Sequence, residues 1–249
     1  MLQSDRAPVQ EPAIEVQLPP RRALRPLDGF HGSLAQRVYA SLRESILAMA
    51  LRPGDIIRKP EICESLGVSR SPVSEAVARL AVEHLVRVIP QAGTYVARFS
   101  LAEIREGAFL REALELAAVE RVALTITEDQ LIQLRRNLRL QQALIEDRDF
   151  AGFYQTDAAM HELILSFTGF RRVAALADTS WVHVNRARQL ILPAPGRVQS
   201  TLAEHQAIVA AVEAHDPVAA RDTTRLHLGM LLGFLEPLAQ SRPDLFEPD

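Results

Sequence analysis

Asp157 and His161 lie four residues apart in a stretch with helical apolar periodicity, so both side chains leave one helix face and can close on a single ion. His205 and His227 fall on two later stretches of the same period. Antiparallel helices of a bundle can converge such groups on an interior point. Imidazole with carboxylate suits a divalent transition metal: zinc, nickel, manganese or iron. Three histidines and one carboxylate leave open positions on a six-coordinate ion, where a ligand carboxylate or hydroxyl fits. Spacing alone leaves a plainer alternative open, because an aspartate four before a histidine is common and a bundle histidine is more often a capping or surface residue.

A second set of residues has the chemistry of nucleic-acid contact. Ser69, Arg70, Ser71, Ser74 and Arg79 sit at and after the start of a short helix. The first turns of such a helix read bases while serines and flanking cations hold phosphates. Arg70 is the residue suited to a guanine edge, since arginine bonds two acceptors at once. Arg79 reaches a phosphate or an intramolecular acid. Gln91, Gly93 and Thr94, on a turn just beyond, are small or polar enough to enter a groove, and Arg58 and Lys59 add phosphate contacts. An ordinary helical hairpin with serine caps is the competing interpretation.

The elements that must position these groups follow from periodicity and punctuation. Leu34, Val38, Leu42, Ile46 and Leu47 predict a first helix that stops before Arg52-Pro53-Gly54. Pro60 opens a second helix through Ile62 and Leu66, and Gly67 ends it. Ser71 as N-cap with Pro72 at the first helical position predicts a third, carrying Val73, Val77 and Leu80 on one face. Leu85–Pro90 and Thr94–Arg98 read as two strands around a Gln91-Ala92-Gly93 loop, with the glycine at positive φ. From Leu101 to about Leu238 no strand signal survives. Helices are expected near 101–124, 128–147, 149–168, 170–191, 198–214 and 216–238, broken at Gly169, Pro193-Ala194-Pro195-Gly196 and Asp216-Pro217. The fold class is therefore mainly α: a winged helix-turn-helix of three helices plus a β-hairpin wing over 33–98, then an all-α six-helix bundle over 99–240. A flexible proline-rich tail (1–32) and a C-terminal tail (241–249) flank them.

Composition sets the limits. Of 249 residues 48% are hydrophobic and 24% charged, with no run of eighteen apolar residues, which describes a globular chain and no membrane partner. The start lacks an apolar signal-peptide core, so a cytoplasmic location is expected. The single cysteine, Cys63, fits a structural thiol. Net charge is -3, yet residues 34–98 carry nine basic and six acidic side chains, a local surplus of the kind DNA binding needs. Lys59 is the only lysine.

The run LRPGDIIRKPEICESLGVSRSPVSEAVARLAVEHLVRVIPQAGTYVAR resembles the winged helix of the GntR family. Pro53-Gly54-Asp55, Leu66-Gly67-Val68-Ser69-Arg70, Pro72-Val73, Glu75-Ala76, Leu80 and Gly93-Thr94 fall in register together, and the likeness covers 34–98. Three positions depart from the family pattern: Ser74 replaces an arginine, Pro60 a frequent basic residue, and His84 a usual glycine. Two expected contacts to DNA are therefore missing, and an operator sequence does not transfer. Residues 101–238 resemble the FCD ligand-binding domain of the FadR-type branch, and six helices suggest its shorter, VanR-like arrangement. Metal-binding members of that branch carry an Asp-x-x-x-His pair and two later histidines, which Asp157, His161, His205 and His227 match. The resemblance also implies that Arg111 points inward to pair with an effector carboxylate; a surface ion pair with Glu115 is the alternative. Trp181, Asn185 and Arg188 share a predicted helix face that would line the pocket, with Trp181 as plain core the other option. His183 and His215 have no assigned role.

These features imply a ligand-responsive regulator of transcription: a homodimer on double-stranded, inverted-repeat operator DNA, sensing a small anionic effector, an organic acid or sugar acid, at a metal site. The alternative is a metal-dependent hydrolase or other metalloenzyme with an appended DNA-binding domain. It lacks a well-placed spare general acid or base. An architectural DNA-binding protein with no effector would leave the polar cluster unexplained.

Overall fold

The computed structural model describes residues 23–173, 176, 181–191 and 196–248. Helix α1 (Leu34–Leu47) starts at Ser33, whose hydroxyl accepts from the Gln36 N–H at 3.3 Å while the Gln36 side chain accepts from the Ser33 N–H at 2.7 Å. This reciprocal cap satisfies two donors that a helix start leaves open. Val38, Leu42 and Ile46, one turn apart, are fully buried against Val73, Val77 and Leu80 of α3 (Arg70–Val82). Between them α2 (Lys59–Leu66) ends at Gly67, held at φ 63° and ψ 38°, a left-handed turn that glycine adopts without a Cβ penalty.

Helix α3 begins two residues earlier than the cap pattern predicts: Ser69 is its N-cap and Pro72 stands third. Proline is tolerated there because no N–H of a helix's first turn has an intrahelical partner. The wing is β1 (Val86–Ile89) paired antiparallel with β2 (Gly93–Val96), Val86 opposite Val96 and Ile89 opposite Gly93. Gly93 thus belongs to the strand rather than the loop. It has φ 130°, and Gln91 in the loop is also left-handed at φ 62°.

The second module consists of α4 (Leu101–Thr125), α5 (Glu128–Glu146), α6 (Phe150–Phe167), α7 (Val182–Ile191), α8 (Arg197–Glu213) and α9 (Pro217–Ser241). Side chains of Ser100, Thr127, Asp149 and Asp216 cap four of these. The stretch expected as one helix over 170–191 is described only in part, and α7 is its last segment; Pro193 to Pro195 lie outside the described residues. A core of Val119, Val122, Leu134, Met160, Leu165, Val184 and Leu235 fills the bundle. Among the described residues no helix is long and apolar enough to cross a membrane.

The described parts of both flanking segments pack on the modules. Residues 23–32 pack on the winged module: Leu27 is buried in its core, the Arg25 guanidinium pairs with Glu44 at 2.6 Å, and Ser41 donates to the Arg25 carbonyl at 2.9 Å. Leu245 and Phe246, read as tail, are buried against Phe99. Two apolar side chains in a short polar segment were enough to anchor it.

Candidate metal centre and nucleic-acid interface

Helices α6, α8 and α9 bring His161, His205 and His227 together in the bundle interior, all buried, with ring nitrogens within 4.8 Å of one another. The Nε2 atom of His227 is 3.3 Å from that of His161 and 3.4 Å from that of His205. Asp157 Oδ1 is 3.5 Å from His205 Nε2, so all four residues singled out by spacing meet.

The opposite ring nitrogens decide the tautomers. His161 Nδ1 is 2.6 Å from Glu115 Oε2, and His227 Nδ1 is 2.7 Å from Glu204 Oε2; a carboxylate only accepts, so each ring must donate from Nδ1. His205 Nδ1 faces Gln141 Oε1 at 2.8 Å. That amide is oriented by its own NH₂ donating to Asn137 Oδ1 at 2.7 Å, while Asn137 donates to the Thr156 carbonyl at 2.9 Å. With Nδ1 protonated, each neutral ring turns an unprotonated Nε2 to the centre, and none can donate to the next. Two imidazole nitrogens bound to one ion at about 2.1 Å stand roughly 3 to 3.4 Å apart, so the donor set fits a divalent cation.

Electrostatics keep the rings in that form. Burial pushes His205 well below the ordinary imidazole range, helped by His227 and His161. Burial lowers His227 to about 3, against the opposing bond to Glu204, and lowers His161 against the opposing charge of Glu115. Burial alone would raise Glu115, yet Arg111 and then His161 hold it well below the carboxylate range. Glu204, lifted by burial, is brought down to about 2 by His227 and Arg197.

Arg111 is inward, as the resemblance implies, and it also makes the ion pair with Glu115, its Nε donating to Oε1 at 2.6 Å; the pair is buried rather than on the surface. One terminal nitrogen of Arg111 has no hydrogen-bond partner among the described residues. Arg188 is in ion-pair contact with Asp157, and burial, then Arg111, lowers it to about 9. Arg111, Asp157, Arg188, Arg197, Thr201 and His227 line a cavity of about 20 Å³, room for one water or ion. Trp181 and Asn185 stay outside it. Trp181 is core with Arg111 5.3 Å over its ring, and the Asn185 carbonyl accepts from the Tyr154 hydroxyl. Glu115, Gln141, Glu204 and Arg197 were not picked out as functional by sequence. Only Glu115, one turn from Arg111, left a spacing signal.

On the winged module Ser69, Arg70, Ser71 and Ser74 are exposed along the start of α3, and Arg70 has no ion pair among the described residues. Lys59 Nζ lies 3.4 Å from Ser74 Oγ on that face, and Arg58 pairs with Glu61 at 3.3 Å. Gln91 and Gly93 are exposed on the wing. Thr94 is 7% exposed because β2 turns its side chain inward, whereas Arg79 is exposed on α3 with its guanidinium 3.9 Å over the ring of Tyr39. His84 sits at φ 55°, the backbone that explains a glycine at this position in the resembling family.

The family model for bacterial regulatory proteins of the gntR family matches residues 34–96, and that for the FCD domain matches 106–230. An HTH-type transcriptional regulator in an unstable DNA locus of Streptomyces ambofaciens is 32% identical over 85% of this chain and 89% of its own. The HTH-type transcriptional repressor RspR of Escherichia coli is 29% identical over 86% and 94%. Among solved structures, E. coli McbR/YncC superposes with a TM-score of 0.72 at 22% identity over 83% of this chain and 98% of that one, a likeness of fold.

Proposed function

The chain belongs to the gntR family of bacterial regulatory proteins in its FCD-domain form, a DNA-binding transcription regulator, and from that premise we propose that it senses a small anionic effector at a divalent metal held by Asp157, His161, His205 and His227. The metalloenzyme reading falls with the family, whose members here are regulators. The observation that carries the proposal is the convergence of three Nε2 atoms whose rings have each committed the other nitrogen to Glu115, Gln141 or Glu204. When bound, the cation supplies Lewis acidity and open positions for an effector oxygen. Arg111 offers its unpartnered terminal nitrogen to an anion, and Arg188, paired here with Asp157, would be a second cation for that anion were Asp157 to ligate the metal. The interior of the cavity, about 20 Å³, holds no more than a water or an ion, so an effector reaching the proposed ligands needs more room than the cavity offers.

For the DNA we propose a homodimer on an inverted repeat, with α3 in the major groove, Arg70 on a base edge, Ser69, Ser71, Ser74, Arg58 and Lys59 on phosphates or bases, and Gln91 and Gly93 of the wing in the adjacent groove. The test of the sensing site is metal analysis of untagged protein beside Asp157→Ala/His161→Ala, with helical content checked in both. About one ion per chain, lost in the variant, is expected. Equal metal content in the two proteins would remove these residues as ligands.

A further inference from the structure

Helix α7 touches the metal site on one face and the winged module on the other. Arg188 contacts Asp157. Two residues earlier, on the opposite side of the helix, Arg186 is fully buried and donates from Nη2 to the carbonyl of Ala97 at 2.7 Å, where the wing leads into the linker before α4. Its guanidinium lies 4.5 Å over the ring of Phe99, and its Nε and Nη1 have no hydrogen-bond partner among the described residues. A guanidinium buried on one carbonyl and one ring, with no carboxylate, is held there against its desolvation cost.

The rest of α7 faces the same way. Val182 is part of the winged module's own core, and His183 Nε2 donates at 3.1 Å to the carbonyl of Glu83, which caps the recognition helix. The linker is gripped from its far side as well. The Phe99 N–H donates to the Leu245 carbonyl at 2.9 Å, the Glu247 N–H donates to the Phe99 carbonyl at 2.8 Å, and the Phe246 ring lies 5.6 Å from that of Phe99. Glu247 also accepts from Arg87 of β1 at 3.1 Å. Phe99 is therefore clasped between a helix that reaches the metal site and the end of the chain.

We propose that α7 carries the state of the Asp157 site to the winged module, with Arg186 as the positioning residue and residues 245–247 as the fixed side of a clasp on Phe99. The proposal rests on the sensing site described above. Among the described residues, α7 is the one wall of the cavity that also enters the winged module's core. Any group that draws Asp157 away from Arg188 changes what holds α7, and a shift of α7 moves Ala97 and Phe99 with it. Such a relay couples two sites only where the occupied and empty states favour different placements of the shared element.

The test is hydrogen exchange at the amides of residues 94–100 and 245–247 in the full-length chain, chelator-treated and then loaded with one equivalent of zinc. In wild type, zinc changes exchange at Phe99 and Glu247 by about fivefold or more, the low end of ordinary coupling. In Arg186→Met zinc uptake persists and that ratio falls to about one. A chain ending at Asp244 keeps Arg186 and serves as the second variant should Arg186→Met not fold; its Phe99 amide exchanges faster and its zinc response is likewise lost. A response of wild-type size in either variant overturns the relay, as does wild-type zinc uptake with no change at Phe99. Absence of zinc uptake by wild type refutes the sensing site and the relay together.

Discussion

His227 Nε2 faces His161 Nε2 across 3.3 Å, and neither ring can donate to the other, because Glu204 and Glu115 hold the two Nδ1 protons. His205 adds a third lone pair to the same point. Away from water such an arrangement of lone pairs is unfavourable until a cation occupies it, so a bound metal would be thermodynamically linked to the fold. Removing metal with a chelator is expected to lower the thermal midpoint by about 5–10 °C relative to protein held at a hundredfold excess over Kd. A midpoint indifferent to chelator and to added zinc would show that nothing binds there.

Gln141 supports the site without reaching its centre. Its carbonyl orients His205 and its amide is fixed by Asn137, so Gln141→Leu removes the acceptor while leaving every ligand in place. Metal affinity is expected to fall about 10–100-fold with stoichiometry unchanged at saturation, read by competition against a chromogenic chelator. Unaltered affinity would mean that packing alone orients His205.

Acid is expected to destabilise the metal-free protein from near neutrality. Burial makes His161, His205 and His227 harder to protonate folded than unfolded, so below the ordinary imidazole value of about 6.5 the unfolded chain binds more protons and is favoured. This contribution is complete above about 6.5 and is lost progressively toward the folded value of His227, about 3. Glu115 and Glu204, lowered when folded, act in the same direction further into acid. Urea unfolding of chelator-treated protein should show a loss of at least about 1 kcal/mol between pH 6.5 and 5.5. Constant or rising stability over that interval would place protons on these rings in the folded state.

The candidate ligands are legible in the sequence because their spacing is a local property: Asp157 and His161 share a helix face, and helical periodicity locates His205 and His227 on others. Their partners are not. Gln141 and Glu204 become functional only through the packing of α5 against α8 and of α8 against α9, which no period in the chain encodes. The same distinction separates the elements. Five of the bundle helices fall where their periods predict, and the stretch 170–191 is described only in part, whereas α3 starts two residues earlier than predicted because Ser69 and Ser71 are equally good caps in sequence and Pro72 suits more than one first-turn position. Thr94 looked like a groove contact until the register of β2 turned it inward, and residues 245–247 looked like a tail until Phe99 supplied a surface for them.

Arg70 and Arg79 lie on the same short helix, and only Arg79 packs on an aromatic ring. Both are exposed, Arg70 at the helix start with no ion pair among the described residues and Arg79 with its guanidinium over the Tyr39 ring, whose own hydroxyl bonds Glu83. On the duplex that wild type selects from a random pool, Arg70→Ala is expected to weaken binding by about 1–3 kcal/mol and to relax preference at one base pair of each half-site. Arg79→Ala should leave affinity within about twofold and lower stability by about 0.5–1 kcal/mol through the lost ring contact. Fluorescence anisotropy titrations at two salt concentrations read the first effect, and urea unfolding the second. Equal losses of affinity in the two variants, with a uniform change across sequences, would make both of them phosphate contacts and leave base reading to the serines and the wing.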